Sequence, residues 1–542
     1  METELKLLIA PADVAALRRL AMLKQLATAK PASRLLRTTY FDTPELLLAQ
    51  QGMELRVRRI GRVSMQTLKA GSQVATAGLH QRQEWEARVA GARPELASLI
   101  AQVSRVARGG VGPMWHKVIS MPGLAQTLVP VFASEVRRTV WNLRCAQGTE
   151  VELALDQGEL RRGDQREPIS EVELELKAGA PAALFDLALL LQEQVPLRVG
   201  NFGKAARGYA LRDPAAAAAV KAAPLVLGRE VSVEEGFRLV VGHCLAQMQA
   251  EEAGVMRGAD PESIHQMRVG MRRLRSALRL FARWMTFPPT LQQELGWLGG
   301  ELGTARDADV LADSTLLKVI EANPQEAKLL PLRRYASTLA AQKRRKAAVA
   351  VASLRYSRLM LGLVGWLQAS RWREALDETA LGALAGPLKK HATQILSRRH
   401  DKLLKSAPRS TTASSSPRGG LSSAPKPHSR KIGKRLAQAT VEQRHQMRIA
   451  AKKARYATEF FQSLRATGHV KRYLKRLEIL QDALGWLNDA AVAAQRLREI
   501  EACRPELAGS ASFARGFLCA AATRELPALG RLWKRVSSMA SP

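Results

Sequence analysis

The sequence predicts an α+β chain of two regions: a mainly antiparallel β domain over residues 1–212 and an all-α region over residues 230–540. Three observations predict it. Short segments of the first two hundred residues alternate charge and apolarity with period two, as half-buried strands do. An Ala/Pro-rich stretch at 213–224 then changes the texture, and beyond it Leu, Ala and Arg recur at helical spacing. Within that helical region, a long segment occurs twice.

The composition agrees with a folded chain. Its 542 residues exceed one ordinary core, and 46% hydrophobic content with 9 Trp and 11 Phe excludes wholesale disorder. The net charge is +34, and the basic excess is concentrated beyond residue 213, so the helical region is where a polyanion is expected. Cys145, Cys244, Cys503 and Cys519 are far apart without C-x-x-C spacing, which argues against a zinc site or a disulfide framework. The acidic opening Met1-Glu-Thr-Glu-Leu-Lys6 is unlike a signal peptide, and no apolar run reaches the roughly 18 residues of a membrane span. A cytoplasmic protein without a membrane partner is expected.

Taken in order, Glu2, Glu4 and Lys6 alternate and so project to one face of the first strand. Residues 11–26 carry Pro near their start and apolar residues at helical spacing, which predicts a helix. Glu54-Leu-Arg-Val-Arg58, Arg82-Gln-Glu-Trp-Glu86, Val151-Glu-Leu-Ala-Leu155 and Glu171-Val-Glu-Leu-Glu175 predict further strands, and 181–194 a second helix over the sheet. A single Glu-x-Glu strand is usually a solvated outer face. Here several strands mix acids and bases in the same parity, and closing such a sheet puts the charges in a lumen where they compensate one another.

Two carboxylates on one face can hold a hard cation while an amine faces an anionic substrate. Glu171, Glu173, Glu175 and Lys177 repeat that arrangement, and Arg56, Arg58, Lys69, Arg82 and Lys204 add cations from other segments. Glu2-Thr-Glu-Leu-Lys6, Tyr40-Phe-Asp-Thr43, Leu55-Arg-Val-Arg58, Leu68-Lys69 and Arg82-Gln-Glu-Trp-Glu86, in that order, resemble the CYTH or triphosphate tunnel metalloenzyme superfamily. The resemblance covers roughly residues 1–210. It implies an eight-stranded tunnel that binds a linear triphosphate with Mg2+ or Mn2+.

Carried over by position, the resemblance makes Glu2 and Glu4, with acids among Glu171, Glu173 and Glu175, the metal ligands, and Glu4 and Lys6 the catalytic pair. Arg56, Arg58, Lys69, Arg82, Lys204 and either Arg137 or Arg138 would grip phosphate oxygens. Strand parity favours Arg137, between Glu135 and Thr139, but leaves both open. Glu84, Glu86 and Asp156 would orient these cations or a second metal. Lys6 serves as a base only if its pKa is strongly lowered; a metal-activated water is an equal account.

Residues 213–229 read as a linker and 406–430, rich in Ser, Pro and Gly, as a disordered loop dividing the halves 230–405 and 431–540. Residues 264–281 align without gaps on 444–461, and 302–310 on 484–492, which predicts a duplicated bundle with pseudo-twofold symmetry. His265, Arg268, Arg272, Arg275 and Arg279 form one stripe; the second copy presents His445, Arg448, Lys452 and Arg455, with Glu459 opposite Arg279 in the alignment. A basic helix face is ordinarily solvated surface, but like charges stacked along both copies destabilise each helix, and an anion would relieve them.

This His-x-x-Arg-x-x-x-Arg/Lys-x-x-Arg pattern resembles the CHAD domain, which implies two four-helix bundles binding inorganic polyphosphate between them. The histidines then add donors whose charge can change near neutral pH. Asp307 and Asp489 also recur, as helix caps or as partners that orient the basic residues. The expectation is an inorganic triphosphatase with a polyphosphate-binding module, placed in the cytoplasm and at polyphosphate granules. Thiamine-triphosphatase or adenylate cyclase activity are the alternatives within the superfamily, and a non-catalytic polyphosphate binder is the alternative of another class. With 5% aromatics and none interleaved in the basic stripe, nucleic acid is not the expected partner.

Overall fold

The computed structural model describes residues 1–71, 76–108, 112–212, 225–408, 436, 438–465 and 467–542. Most of the expected linker, at 213–224, and of the expected disordered loop, from 409, lies outside the described residues. Two compact units emerge: Met1–Lys221 with Ala350–Arg371, and Ala222–Val349 with Trp372–Pro542.

The first unit is an antiparallel barrel. Strands β1 (Glu2–Ile9), β2 (Ala32–Asp42), β3 (Met53–Ile60), β4 (Val63–Ala70), β5 (Leu79–Val89), β6 (Val129–Arg144), β7 (Glu150–Arg162) and β8 (Gln165–Ala178) follow the order β5-β4-β3-β2-β6-β7-β8-β1. Pairing of β1 with β5, Glu2 opposite Arg82 and Glu4 opposite His80, closes the ring. A short β9 (Leu197–Val199) adds to β1 outside it.

Period-two alternation decides which side of this barrel is polar. Charged residues point in, and apolar ones point out against helices. Phe41, Leu55, Val57, Leu68 and Trp85 form an outer core with Leu99 and Val103 of α1 (Leu96–Arg108) and Ile119 of α2 (Pro113–Ile119). At one end Tyr40, Phe132, Val136, Leu160 and Ile169 pack with Ala205 of α4 (Lys204–Ala210). Gly208 is required there, because a Cβ would sit 2.1 Å from the Phe132 ring.

The helix expected at 181–194 is α3 (Ala182–Gln194), with Leu184, Phe185, Leu187, Ala188 and Leu191 buried. That expected at 11–26 is broken at Leu20, whose extended ψ separates Val14–Arg19 from Ala21–Leu26. The structure differs from the expected domain division in one respect. Helix α9 (Leu354–Ala369), inside the helical sequence, packs with the barrel unit: Ser357 Oγ accepts from the Val199 amide of β9 at 3.3 Å, and Gly365 lets α9 approach Phe185 of α3.

The second unit is helical throughout its described residues. It includes α5 (Val233–Ala250), α6 (Pro261–Phe281), α7 (Pro289–Val310), α8 (Leu329–Val351), α10 (Leu388–Lys405), α11 (Val441–Phe461), α12 (Thr467–Cys503) and α13 (Ala508–Ser537). The repeated segments are α6 and α11, and both start at side-chain caps that satisfy otherwise orphaned amides. Asp260 accepts from the Glu262 and Ser263 amides ahead of α6, and Thr440 forms a capping box with Gln443 ahead of α11. Ala/Leu cores bury the inner faces. All four cysteines are unpaired. Among the described residues no single helix is long and apolar enough to cross a membrane.

Candidate functional site

The barrel encloses a cavity of about 210 Å³ whose lining is almost wholly charged. Cross-strand register stacks its residues. Glu4 lies opposite Glu175 and Lys6 opposite Glu173 between β1 and β8; Asp156 lies between Arg138 and Glu171; Lys69 lies between Glu54 and Glu84. The strands therefore bring together nearly all the expected residues.

Two connected ion-pair networks, one around Glu54 and Glu84 and one around Glu173, occupy the interior. Lys69 Nζ lies 2.5 Å from Glu2 and 3.4 Å from Glu84. Arg82 lies 2.9 Å from Glu54 and 3.4 Å from Glu4, and Arg56 lies 3.8 Å from both Glu54 and Glu84. Arg138 grips Asp156 with Nε at 2.8 Å and Nη2 at 2.6 Å and also bonds Glu173. Lys6 pairs with Glu171 at 3.2 Å and with Glu173; Lys204 pairs with Asp156 at 2.6 Å, with Glu173 at 2.9 Å and with Glu171.

These pairings set the proton affinities. Burial would lower the Lys6 ammonium, but Glu171, Glu173 and Glu4 outweigh it and hold the amine above its ordinary range. As arranged, Lys6 is a fixed cation and not a base. Burial would raise Glu4, yet Lys6 and Lys69 bring it down to about 2, so it is a carboxylate. Arg58 is different: among the described residues its guanidinium has no carboxylate partner, only Thr38 Oγ1 at 3.4 Å. Burial together with Arg56 and Arg138 lowers it to about 10, so it is a cation in a positive field.

The alternative left open on β6 resolves to Arg138. Arg137 is exposed on the outer face. The polar neighbours that favoured it lie on that same face: Glu135 pairs with exposed Arg37 at 3.0 Å, and Thr139 faces Ser33 at 3.4 Å. Glu171 and Asp156 are fully buried beneath the cavity wall, Arg207 adding to Glu171 at 3.1 Å, whereas Glu2, Glu4, Glu84, Glu173 and Glu175 face the cavity. Glu86 sits exposed at the rim, accepting from Thr67 at 2.9 Å. Oxygens of Asp156, Glu171 and Glu173 come within 4.8 Å of one another, a buried acidic cluster of metal-binding size.

Sequence reasoning missed Glu54, Glu152 and His80. Parity could have found all three: Glu54 shares a face with Arg56 and Arg58, Glu152 opposes Glu175, and His80 shares a face with Arg82 and Glu84. His80 is 3% exposed, and burial holds its imidazole neutral, lowered to about 4.

The helical unit holds a second cavity of about 1470 Å³. His265, Arg268 and Arg272 of α6 and His445, Arg448, Lys452 and Arg455 of α11 line it, as the repeat predicts, joined by Arg306, Lys318, Lys471 and Lys475. Arg275 is not brought there: its guanidinium turns to the Leu295 carbonyl at 2.5 Å, over Gly299. Asp307 and Asp489 lie inside helices and cap neither. They face Arg268 at 4.0 Å and Arg448 at 3.7 Å, the same pairing in both copies.

The halves diverge at the histidines. His445 Nδ1 meets Asn488 Oδ1 at 2.9 Å, whereas the residue aligned with Asn488 is Arg306, and His265 Nδ1 has no hydrogen-bond partner among the described residues. Burial and Arg306 lower His265, while burial, Arg448 and Arg272 lower Lys452 to about 6. Burial is the larger cause in both, and the neighbouring cations add to it.

Comparison with known proteins matches residues 1–209 to the CYTH domain model and residues 239–498 to the CHAD domain model. An inorganic triphosphatase of Haemophilus influenzae is 33% identical over 210 residues, 39% of this chain; the chain spans 54% of that relative's length. The CHAD domain of the plant Ricinus communis is 36% identical over 59% of this chain and 97% of its own, with a TM-score of 0.49. PptA from Streptomyces chartreusis is 16% identical over 57% of this chain and 100% of its own, with a TM-score of 0.34.

Proposed function

For a chain that carries a CYTH domain followed by a CHAD domain, we propose that the barrel is a metal-dependent inorganic triphosphatase and the helical cavity a polyphosphate-binding site. The observation that carries the first half is Arg58, a lumen guanidinium with no ion-pair partner among the described residues, standing among Arg56, Arg138 and Lys69 inside a closed barrel. A phosphate chain supplies the missing anion.

The lining fits a divalent ion as well. Glu2, Glu4, Glu173 and Glu175 present oxygen donors to the cavity, and among the described residues Glu4 has a single ion-pair contact, Arg82 at 3.4 Å. An all-oxygen carboxylate set suits Mg2+ or Mn2+. Such an ion, when bound, neutralises phosphate oxygens and lowers the pKa of a water. Arg56, Arg58, Lys69 and Arg138 align the chain and stabilise charge at the terminal phosphorus as the water oxygen bonds to it. The anhydride P–O bond breaks, and diphosphate and phosphate leave. Lys6, kept protonated, contributes charge.

The small cavity supports an inorganic substrate. Its aromatic lining residue, Tyr40, is 1% exposed and already stacked on Phe132 at 4.3 Å, so it offers no free face to a base. The helical cavity supports a longer polyanion: the Lys and Arg side chains that line it outnumber its acids, and Arg272, Arg306, Lys318, Lys471 and Lys475 have no ion-pair partner among the described residues, although Asp307, Asp489, Glu459 and Glu478 pair with others.

The test offers the full chain, with Mg2+ or Mn2+, inorganic triphosphate, long-chain polyphosphate, ATP and thiamine triphosphate. Fastest phosphate release from inorganic triphosphate is expected. Preference for ATP with cyclic product, or no hydrolysis of any of the four, would overturn the reading. Polyphosphate binding should be salt-sensitive and weaken when Arg272 and Lys452 are both replaced by Gln; undiminished binding would remove the cavity assignment.

A further inference from the structure

Arg275 and Arg279 continue the basic stripe of α6, yet neither lines the helical cavity. They belong instead to a second group of cations on the same unit. Lys453 of α11, Arg399 of α10 and Arg275 are half-buried, and Lys402 of α10 and Arg279 are exposed. Burial lowers the Lys453 ammonium, and Arg279, Arg399 and Lys402 lower it further; burial, then Arg279, lowers both Arg275 and Arg399. None of the five has an ion-pair partner among the described residues, Arg275 donating to the Leu295 carbonyl at 2.5 Å. The sequence from 409 to 435, between α10 and α11, contains no Asp or Glu.

The duplication supplies the comparison. Helices α5 and α10 are each 18 residues long and precede the repeated helices α6 and α11. Paired from their first residues, Cys244 matches Arg399 and Gln247 matches Lys402; the repeat matches Arg273 with Lys453, Arg455 with Arg275 and Glu459 with Arg279. The same neighbours meet in both places. Arg273 donates to Gln247 at 3.0 Å, Arg455 pairs with Glu459 at 2.7 Å, and the buried Cys244 thiol feels both Arg273 and Glu459. One corner thus holds two cations, an acid and two uncharged residues where its counterpart holds five cations. Like charges held together by three helices oppose the fold until an anion meets them.

We propose that the corner formed by Arg275, Arg279, Arg399, Lys402 and Lys453 is a second anion-binding site, separate from the helical cavity, and that it takes a short phosphoanhydride such as inorganic diphosphate. The guanidinium groups present forked N–H donors to phosphate oxygens, and the ammonium groups add point charges. The two cations on α6, like the two on α10, stand one helical turn apart, about 5 Å along the axis. Charges gathered this closely around Lys453 match adjacent phosphates more than an extended polymer. The site stands whether or not the barrel hydrolyses triphosphate and whether or not the cavity holds polyphosphate.

The experiment titrates metal-stripped full-length protein calorimetrically with inorganic diphosphate and, separately, with long-chain polyphosphate. Arg279→Glu restores the acid of the other copy, so its melting temperature should be unchanged or raised, which verifies its fold. It should nevertheless lose one bound diphosphate per chain, or bind it at least about tenfold more weakly, while polyphosphate affinity changes little. Arg399→Gln should weaken the same diphosphate in the same way. Arg272→Gln combined with Lys452→Gln, in the cavity, should leave that diphosphate in place. Absence of diphosphate binding by wild type, or binding that survives both Arg279→Glu and Arg399→Gln, overturns the proposal. Loss of the same diphosphate in the cavity variant overturns it too, as does an equal fall of polyphosphate affinity in Arg279→Glu, because the corner would then be part of the cavity's own site.

Discussion

Arg58 and Arg138 lie in one lumen, but their surroundings give them opposite expected phenotypes. Arg58 has no carboxylate to strand, so Arg58→Met should leave the melting temperature unchanged or raised. Its loss should lower kcat/KM for triphosphate by roughly ten- to hundredfold, the worth of a charge-assisted hydrogen bond. Arg138→Met instead takes one cation from Asp156 and Glu173, leaving Lys204 on both and Lys6 on Glu173, and should cost about 1.5–3 kcal/mol of stability, the worth of hydrogen bonds to a charged group, read by denaturant unfolding. In the helical cavity, Lys452 sits near 6 because of burial, Arg448 and Arg272, with Asp489 partly offsetting them and Arg268 adding to them. A bound polyanion raises it again, so binding takes up a proton between that value and the ordinary lysine range. Polyphosphate affinity should therefore rise as pH falls from about 8 toward 6, with His265 adding to the rise, and Lys452→Gln should flatten it in calorimetric titrations. At this scale the sequence was legible wherever period two placed alternate residues on one face, as with Glu2, Glu4 and Lys6. It was ambiguous at Arg137 and Arg138, where two identical neighbours take opposite faces and the polar Glu135 and Thr139 belong to the outer one.

Among the elements, β1 is the most constrained, because it closes the barrel against β5, joins β8 and carries β9. β9 and α3 in turn meet α9, which the helical region of the sequence supplies. A Cβ at Gly365 would lie 2.9 Å from the Phe185 Cβ. Gly365→Leu should overpack this contact and destabilise the barrel unit by about 1–3 kcal/mol, seen as an earlier unfolding transition, with Gly365→Ala milder. Helices and strands were readable from their periods, and the duplicated α6 and α11 from alignment alone. The packing of α9 with the barrel was not, since an apolar helical period says that a face is buried without saying against what. The break at Leu20 escaped for a similar reason: the apolar spacing continues through it, and only the backbone turns.

For the whole molecule, the charge of +34 resolves into two distinct devices. The barrel balances cations against carboxylates in a cavity of about 210 Å³, which suits a short anion and a hard metal ion; the helical cavity, about 1470 Å³, has more cations than carboxylates, which suits a longer anion. This separation follows from how each fold hides charge. A closed barrel faces alternate residues inward and forces acids and bases to meet, whereas two copies of one helix bring like charges together. The central claim is that the lumen hydrolyses triphosphate through a metal held by its carboxylates. It is tested most directly by measuring phosphate release from inorganic triphosphate as Mg2+ or Mn2+ is returned to metal-stripped full-length protein and to its Glu4→Gln variant. Release that rises with metal in wild type and falls by at least about a hundredfold in the variant is predicted, in line with loss of transition-state charge stabilisation. Equal release with and without metal, or equal release by the two proteins, would contradict it.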